Sequence, residues 1–202
     1  LNVAEEWKQV IGLYQRHASS WDGERNRDLI EKPWLDRFLH PLHTGASILD
    51  IGCGSGEPIS GYLIERGFNV TGIDSSPAMI AMCQSRFPDQ EWSVADMRTL
   101  SFDRRFDGIL AWDSFFHLRP EEQRQMFPIF REHAAPQALL MFNSGSSLGC
   151  AIGCYHGEPL YHGSLDEEEY RSLLEENGFD VIEHVADDPD CGGRAVWLAL
   201  LR

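Results

Sequence analysis

Positive charge is what this sequence is shortest of. Lysine and arginine together number 17 against 32 aspartates and glutamates, a formal net charge of -15 at pH 7. Counterion release from nucleic acid, like attraction to anionic lipid, needs clustered Lys and Arg, so neither nucleic acid nor a membrane surface is an expected partner. No apolar run approaches the roughly 20 residues of a transmembrane helix, and no charged segment followed by an apolar one opens the chain as in a secretory leader. The cysteines Cys53, Cys83, Cys150, Cys154 and Cys191 are odd in number and scattered, which supplies no disulfide framework. Reduced thiols in a cytoplasmic setting are the expectation. Repeats and low-complexity tracts are lacking too, and 202 residues suit one α/β domain spanning 1–202.

What is present is a strand, a tight turn and a helix start packed into ILDIGCGSG, from Ile48 to Gly56. Three glycines at alternate positions remove the Cβ atoms that would keep a ligand off the main chain. Ahead of it, residues 4–17 place Trp7, Val10, Ile11, Leu13 and Tyr14 at helical spacing. A break follows at Ala18 to Trp21, then a second helix near Arg27 to Leu39 with a kink or restart at Pro33. Residues 1–45 thus read as a helical layer. After the glycine loop, helices over Pro58–Arg66, Pro77–Arg86 and Pro120–His133 alternate with strands at Phe68–Asp74, Glu91–Val94, Phe106–Trp112 and Gln137–Asn143. That alternation predicts a doubly wound, mostly parallel sheet with ligands at the carboxyl ends of its strands. Residues 144–164 read as a long glycine-rich loop, a candidate lid. A helix capped by Ser164, with Glu167 in the capping box, ends at Gly178, and strands Phe179–Ala186 and Arg194–Leu200 close the chain as a hairpin.

The dinucleotide fingerprint G-x-G-x-x-G is lacking, because Glu57 stands where its third glycine would be, and a carboxylate repels a pyrophosphate. A ligand of positive or mixed charge fits the loop better. Asp74, ending the second strand, offers a carboxylate to a ribose diol, and Asp96 with Met97, ending the third, suits an adenine amino group. Ammonium, diol and adenine together describe S-adenosylmethionine. On ILDIGCGSG, GIDSS, VADM, FDGILAWDSFFHL and LDEEEYRSLLEENGF, in that order, the chain from Tyr14 onward resembles the class I S-adenosylmethionine-dependent methyltransferases. Its layout is similar to that of the small-molecule, trans-aconitate methyltransferase-like branch. The resemblance implies a Rossmann-like sheet of seven strands in the order 3-2-1-4-5-7-6 with strand 7 antiparallel. It also implies Asp50, Gly52, Cys53, Gly54 and Gly56 around the methionine portion, Asp74 on the ribose, and Ser75 and Met79 beside the adenosine. Asp96 and Met97 fall at the adenine, and the Ala111 carbonyl near the methionine amino group.

Also lacking is the N/D-P-P-Y/F motif of methyltransferases that act on amide or exocyclic nitrogens; Trp112, Asp113, Ser114 and Phe115 stand in its place. That nitrogen chemistry is therefore not expected; the resemblance implies a small-molecule acceptor, RNA or protein methylation staying open but lowered by the missing basic patch, with Asp113 and His117 as candidate bases whose plainer readings are a helix cap and a buried imidazole. Tyr14 and Trp21 are placed to close over the donor, or else to serve only as core. Trp112, Phe115 and Phe116 suit an apolar acceptor pocket, or plain packing. His156, Glu158, Tyr161 and His162 are candidates to reach the acceptor from the lid. The C-x3-C-x-H spacing of Cys150, Cys154 and His156 matches no standard zinc pattern, so no metal is expected. The residues leave open which atom is methylated, whether a base is used, and whether the protein is a monomer or a homodimer. Two other functions stay open as well: a regulatory module that binds the donor without turnover, and a nucleotide-sugar or NAD-linked enzyme, against which Glu57 speaks.

Overall fold

A computed structural model describes residues 5–202; the start of the first expected helix, at residue 4, lies outside the described residues. Strands β1 (Ser47–Ile51), β2 (Asn69–Asp74), β3 (Glu91–Val94), β4 (Phe106–Ala111) and β5 (Ala134–Ser144) are parallel neighbours in the order 3-2-1-4-5. Two strands, β6 (Gly149–Tyr155) and β7 (Glu158–Ser164), form a sheet of their own. The last two, β8 (Phe179–Asp188) and β9 (Arg194–Leu201), complete a seven-stranded main sheet in the order β3-β2-β1-β4-β5-β9-β8, with β9 antiparallel to both its neighbours. This is the expected order once β6 and β7 are set aside.

Local sequence accounts for most of the helices. In α5 (Pro77–Arg86), the Ser76 hydroxyl accepts from the Met79 N–H at 3.3 Å, and Pro77 at N1 gives up no needed donor. The helix α4 (Ile59–Glu65) runs into Gly67 at φ +85°, the left-handed residue that stops it. In α6 (Pro120–His133), the Glu122 carboxylate accepts from the Arg119 N–H at the helix start.

Four expectations need correction. The first helix, α1 (Val10–Arg16), is followed after one residue by α2 (Ala18–Glu24) rather than by a break at Ala18 to Trp21. Tertiary contacts hold α2: Asp22 receives Arg86 of α5, and Trp21 packs edge-on to Tyr14 at 5.1 Å. The second helix, α3 (Lys32–Leu39), begins later than the expected Arg27, with Pro33 in its first turn as the expected restart. The cap of α7 (Glu167–Glu176) is Asp166, which accepts from the Glu169 N–H at 2.8 Å; Ser164 is the last residue of β7, its hydroxyl bonded to the Gly145 carbonyl. Residues 144–164 are no irregular loop. They make the β6–β7 hairpin, turning through His156 at φ +49° and Gly157 at φ +81°, the two positive values of a tight hairpin turn.

The main sheet buries both faces. Phe115, Phe127, Phe130, Phe142, Tyr170 and Trp197 pack together on one side, with Phe142 and Trp197 stacked at 5.9 Å. Trp34, Leu35, Phe38, Leu63, Ile80 and Trp92 fill the other. Gln123, fully buried, donates to the Leu118 and Gly163 carbonyls at 2.9 Å and accepts from Tyr170 Oη at 2.6 Å, tying the foot of the hairpin to α6.

Candidate active site

A cleft of about 1110 Å³, counted out into the open solvent at its mouth, lies at the carboxyl ends of β1 to β4, roofed by α1 and α2. Its floor is the glycine loop. The Gly52 and Cys53 N–H groups bond to the Ile73 carbonyl at 2.8 and 2.9 Å, folding the loop back over β2. Gly52 must be glycine because a Cβ there would sit 2.3 Å from Ser114 Cβ, whose hydroxyl donates to the Ile51 carbonyl at 2.6 Å. At Gly54 a Cβ would meet nothing within 4 Å, so the bare backbone there is a cradle facing open cleft. Gly56 is not among the residues that line the cleft, and a Cβ there would crowd Phe87 at 3.2 Å and Cys83 at 3.3 Å.

Asp74 lies beside that cradle. One of its oxygens accepts from the Gly54 N–H at 3.0 Å and the other from the Ser76 N–H at 2.8 Å, each keeping capacity for a second donor. Burial pushes its carboxyl above the usual range, against those two N–H groups. Asp50, 3% exposed, accepts from Ser60 Oγ at 2.5 Å. Burial raises it to about 6, Ser60 opposing and Asp74 adding to the shift. Cys53, Ser75 and Met79 line the cleft too, and the Cys53 thiol is held well above its usual range by burial and by Cys83.

Val10, Ile11, Met79 and Met97 give the cleft an apolar part of its lining. Asp96 lines the cleft too, but its carboxylate is taken by Arg98, whose Nε stands 2.9 Å from Oδ1 and whose Nη2 stands 2.5 Å from Oδ2. That guanidinium, which also reaches Glu122 at 2.6 Å, holds the Asp96 carboxyl below the usual range. The carboxylate expected to wait for an adenine amino group is thus already paired.

The lining also includes Tyr14, Trp21, Arg25, Trp112, Asp113 and His117. Asp113, expected as a base, is built as an anchor. Its backbone takes φ +48°, strained for a non-glycine residue. Arg194 grips both carboxylate oxygens at 2.8 Å, and Asn143 exchanges two hydrogen bonds with it, at 2.7 and 2.8 Å. Burial would raise its pKa, but Arg194 and Arg25 prevail and lower it, which makes it a weak proton acceptor. Trp112 Nε1 is buried with no hydrogen-bond partner among the described residues, on a residue that lines the cleft.

The remaining expected residues lie elsewhere. Ala111 is buried within β4, paired with Phe142, and does not reach the cleft. Phe116 and His162 border a second cavity of about 890 Å³ beneath the hairpin, walled from the cleft by Asp113 with Arg194 and by His117 against His162 at 5.0 Å. Tyr161 is buried against Val10 and Leu13, and His156 sits at the hairpin turn on Glu24. Arg25, Arg98, Ser114 and Glu122 line the cleft without having been singled out in the sequence. Only Ser114 left a trace there, in the segment standing where N/D-P-P-Y/F would be; the others lie on helices or turns with no motif.

Six carboxylates line the cleft among the described residues, Asp50, Glu57, Asp74, Asp96, Asp113 and Glu122, against two guanidiniums, Arg25 and Arg98. Such a site favours a cation over a phosphate. Residues 48–137 match the family described as a methyltransferase domain. The chain is 30% identical over 149 residues to the YqeM protein of Bacillus subtilis (strain 168), covering 69% of this chain and 58% of that one. It is 34% identical over 137 residues to a trans-aconitate 2-methyltransferase of Shigella flexneri serotype 5b (strain 8401), covering 67% of this chain and 49% of the relative. The chain thus spans only about half the length of these relatives. In fold it is similar to 1,6-didemethyltoxoflavin-N1-methyltransferase of Burkholderia thailandensis, solved with its substrate and S-adenosylhomocysteine. The TM-score is 0.72 at 20% identity, over 96% of this chain and 86% of that one. With this strand order and this domain, the chain belongs to the class I S-adenosylmethionine-dependent methyltransferases.

Proposed function

We propose that the chain binds S-adenosylmethionine in the cleft and methylates a small-molecule acceptor held beside the contiguous group of Tyr14, Trp21 and His117. The observation that carries this reading is the acidic lining gathered around the Gly54 cradle, which suits a ligand bearing sulfonium and ammonium charges and opposes a pyrophosphate. Asp74 would receive the ribose hydroxyls on its two spare positions. The apolar lining from Ile11, Met79 and Met97 would meet the adenine, and Asp50 would face the methionine portion. When bound, the donor supplies an activated methyl group. The protein's own part is to align an acceptor with it and keep water out, which the aromatic roof of Tyr14 and Trp21 is placed to do.

The small-molecule assignment draws on the trans-aconitate relatives and the toxoflavin-type neighbour, together with the scarcity of positive charge. Titration calorimetry with S-adenosylhomocysteine tests the donor site. Binding is expected, weakened about 10- to 100-fold by Asp74→Ala, the loss of two hydrogen bonds to a carboxylate. No heat with either S-adenosylhomocysteine or S-adenosylmethionine would refute the reading. Tight binding with no methyl transfer to any acceptor would leave a regulatory binding protein instead.

A further inference from the structure

The Tyr14 hydroxyl stands 2.9 Å from His117 Nε2, and His117 Nδ1 stands 2.9 Å from the Tyr161 carbonyl of β7. A carbonyl can only accept, so Nδ1 carries the proton. In a neutral imidazole Nε2 is then bare and accepts from the Tyr14 O–H. Both residues line the cleft, Tyr14 from the roof and His117 from the segment after β4. The hydrogen bonds therefore run one way, from cleft through phenol to imidazole to hairpin backbone, and the phenol oxygen keeps a lone pair free for a donor in the cleft.

Resting on the methyl-transfer reading above, we propose that the acceptor is an alcohol, phenol or amine, a nucleophile that must shed a proton, and that Tyr14 Oη takes that proton while passing its own to His117 Nε2. The acceptor's lone pair forms the new bond to the methyl carbon as the sulfur–methyl bond breaks, its electron pair staying on sulfur. The acceptor's proton moves to Tyr14 Oη, the phenol proton moves to Nε2, and the imidazolium later releases a proton to solvent. One positive charge is lost at sulfur and one appears on imidazole, so the cleft's total charge is unchanged. That matters in a site where a new uncompensated charge is costly.

The charged and titratable groups facing the relay are consistent with this. Asp113, Asp74 and Tyr155 face the phenol with Arg25, and Asp113 and His162 face the imidazole. Burial first, and His162 second, hold His117 down at about 4, against the Tyr161 carbonyl and Asp113, so the ring is neutral with Nε2 bare at physiological pH, and as a weak base it takes the proton only as positive charge leaves sulfur. A polycarboxylate acceptor needs no base and needs cations. Here six carboxylates line the cleft, Arg25 is held by Glu31 at 2.7 Å, and Arg98 is held by Asp96 and Glu122. The acceptor named for the trans-aconitate relatives fits such a lining poorly.

The test pairs nitrogen NMR of His117 in the S-adenosylhomocysteine-loaded protein with methyl-transfer assays. The acceptor panel contains catechol, tyramine and glucosamine on one side and trans-aconitate and citrate on the other. The expected spectrum is a neutral Nδ1–H ring whose Nε2 signal shifts in Tyr14→Phe, while S-adenosylhomocysteine affinity changes less than 3-fold. With a hydroxyl or amine acceptor, Tyr14→Phe should lower kcat about 100-fold with little change in KM. It should also convert a flat profile above pH 6 into a rate that climbs about tenfold per pH unit, as the acceptor's own ionisation takes over. An Nε2–H ring with donor binding intact would overturn the relay, as would turnover of the carboxylates alone at a rate Tyr14→Phe leaves unchanged. Loss of donor binding in the unaltered protein would instead refute the methyl-transfer reading.

Discussion

Burial pushes the Asp50 carboxyl up to about 6, well above its value of about 3.8 in an unfolded chain. Between those pH values the folded state keeps a proton that the unfolded state releases, so ligand-free stability falls as pH rises from about 4 to about 6. Above that, the fold carries a buried anion, and a cationic ligand is what relieves it. Asp50→Asn should therefore stabilise the ligand-free protein above pH 6, on the order of 2 kcal/mol, visible in urea unfolding. S-adenosylhomocysteine affinity, read by calorimetry, should rise from pH 5 to 7 in the unaltered protein and stay flat in the variant. The positions of the aspartates at 50 and 74 were legible from the sequence because Asp50 is next to last in β1 and Asp74 last in β2, and the carboxyl end of a strand fixes where a short side chain sits. Asp113 is the contrast. Its position after β4 was readable, but its partners Asn143 and Arg194 lie 30 and 81 residues away in sequence, and they turn a candidate base into an anchor.

Between elements, the β6–β7 hairpin straps down the cleft's roof. At its turn Glu158 meets His17 at 2.6 Å and also Arg16, while Glu24 meets His156 and the Tyr155 hydroxyl, both at 3.0 Å. Val10 and Leu13 of α1 pack on Leu160 and Tyr161 of β7, and Asp22 of α2 is held by Arg86 of α5. Substituting Glu158→Gln together with Glu24→Gln should speed amide hydrogen exchange in α1 and α2 several-fold. Exchange in β1 and β4 should be unaffected, because the strap joins surface elements and leaves the main sheet's ladder intact. None of this was visible beforehand. Residues 144–164 carried a hairpin signal in His156–Gly157, but its glycine content and mixed polarity masked the period of two, and the strands pair only with each other.

Across the molecule, stability rests on the aromatic layer between the sheet, α6 and α7. Phe142 is fully buried and touches Phe115, Phe127, Tyr170 and Trp197, with ring centroids 5.2 to 5.9 Å away. Phe142→Ala should cost about 3–5 kcal/mol and lower Tm by roughly 10 °C in a thermal melt. Because Ala111 of β4 pairs with Phe142, collapse there should also loosen the strand that leads into Asp113 and His117.

The sequence by itself determined the alternation of strands and helices, the glycine turn after β1, the Ser76 cap of α5 and the stop of α4 at Gly67. Each of these depends on residues near one another in the chain, where spacing and backbone preference settle the geometry. Only the tertiary structure decided the state of each charged group in the cleft. Arg98 covers Asp96, Arg194 immobilises Asp113, and Tyr14 meets His117 across 103 residues to set its tautomer. Proton position and carboxylate strength are fixed by what comes within about 3 Å in three dimensions, and no spacing along the chain records that.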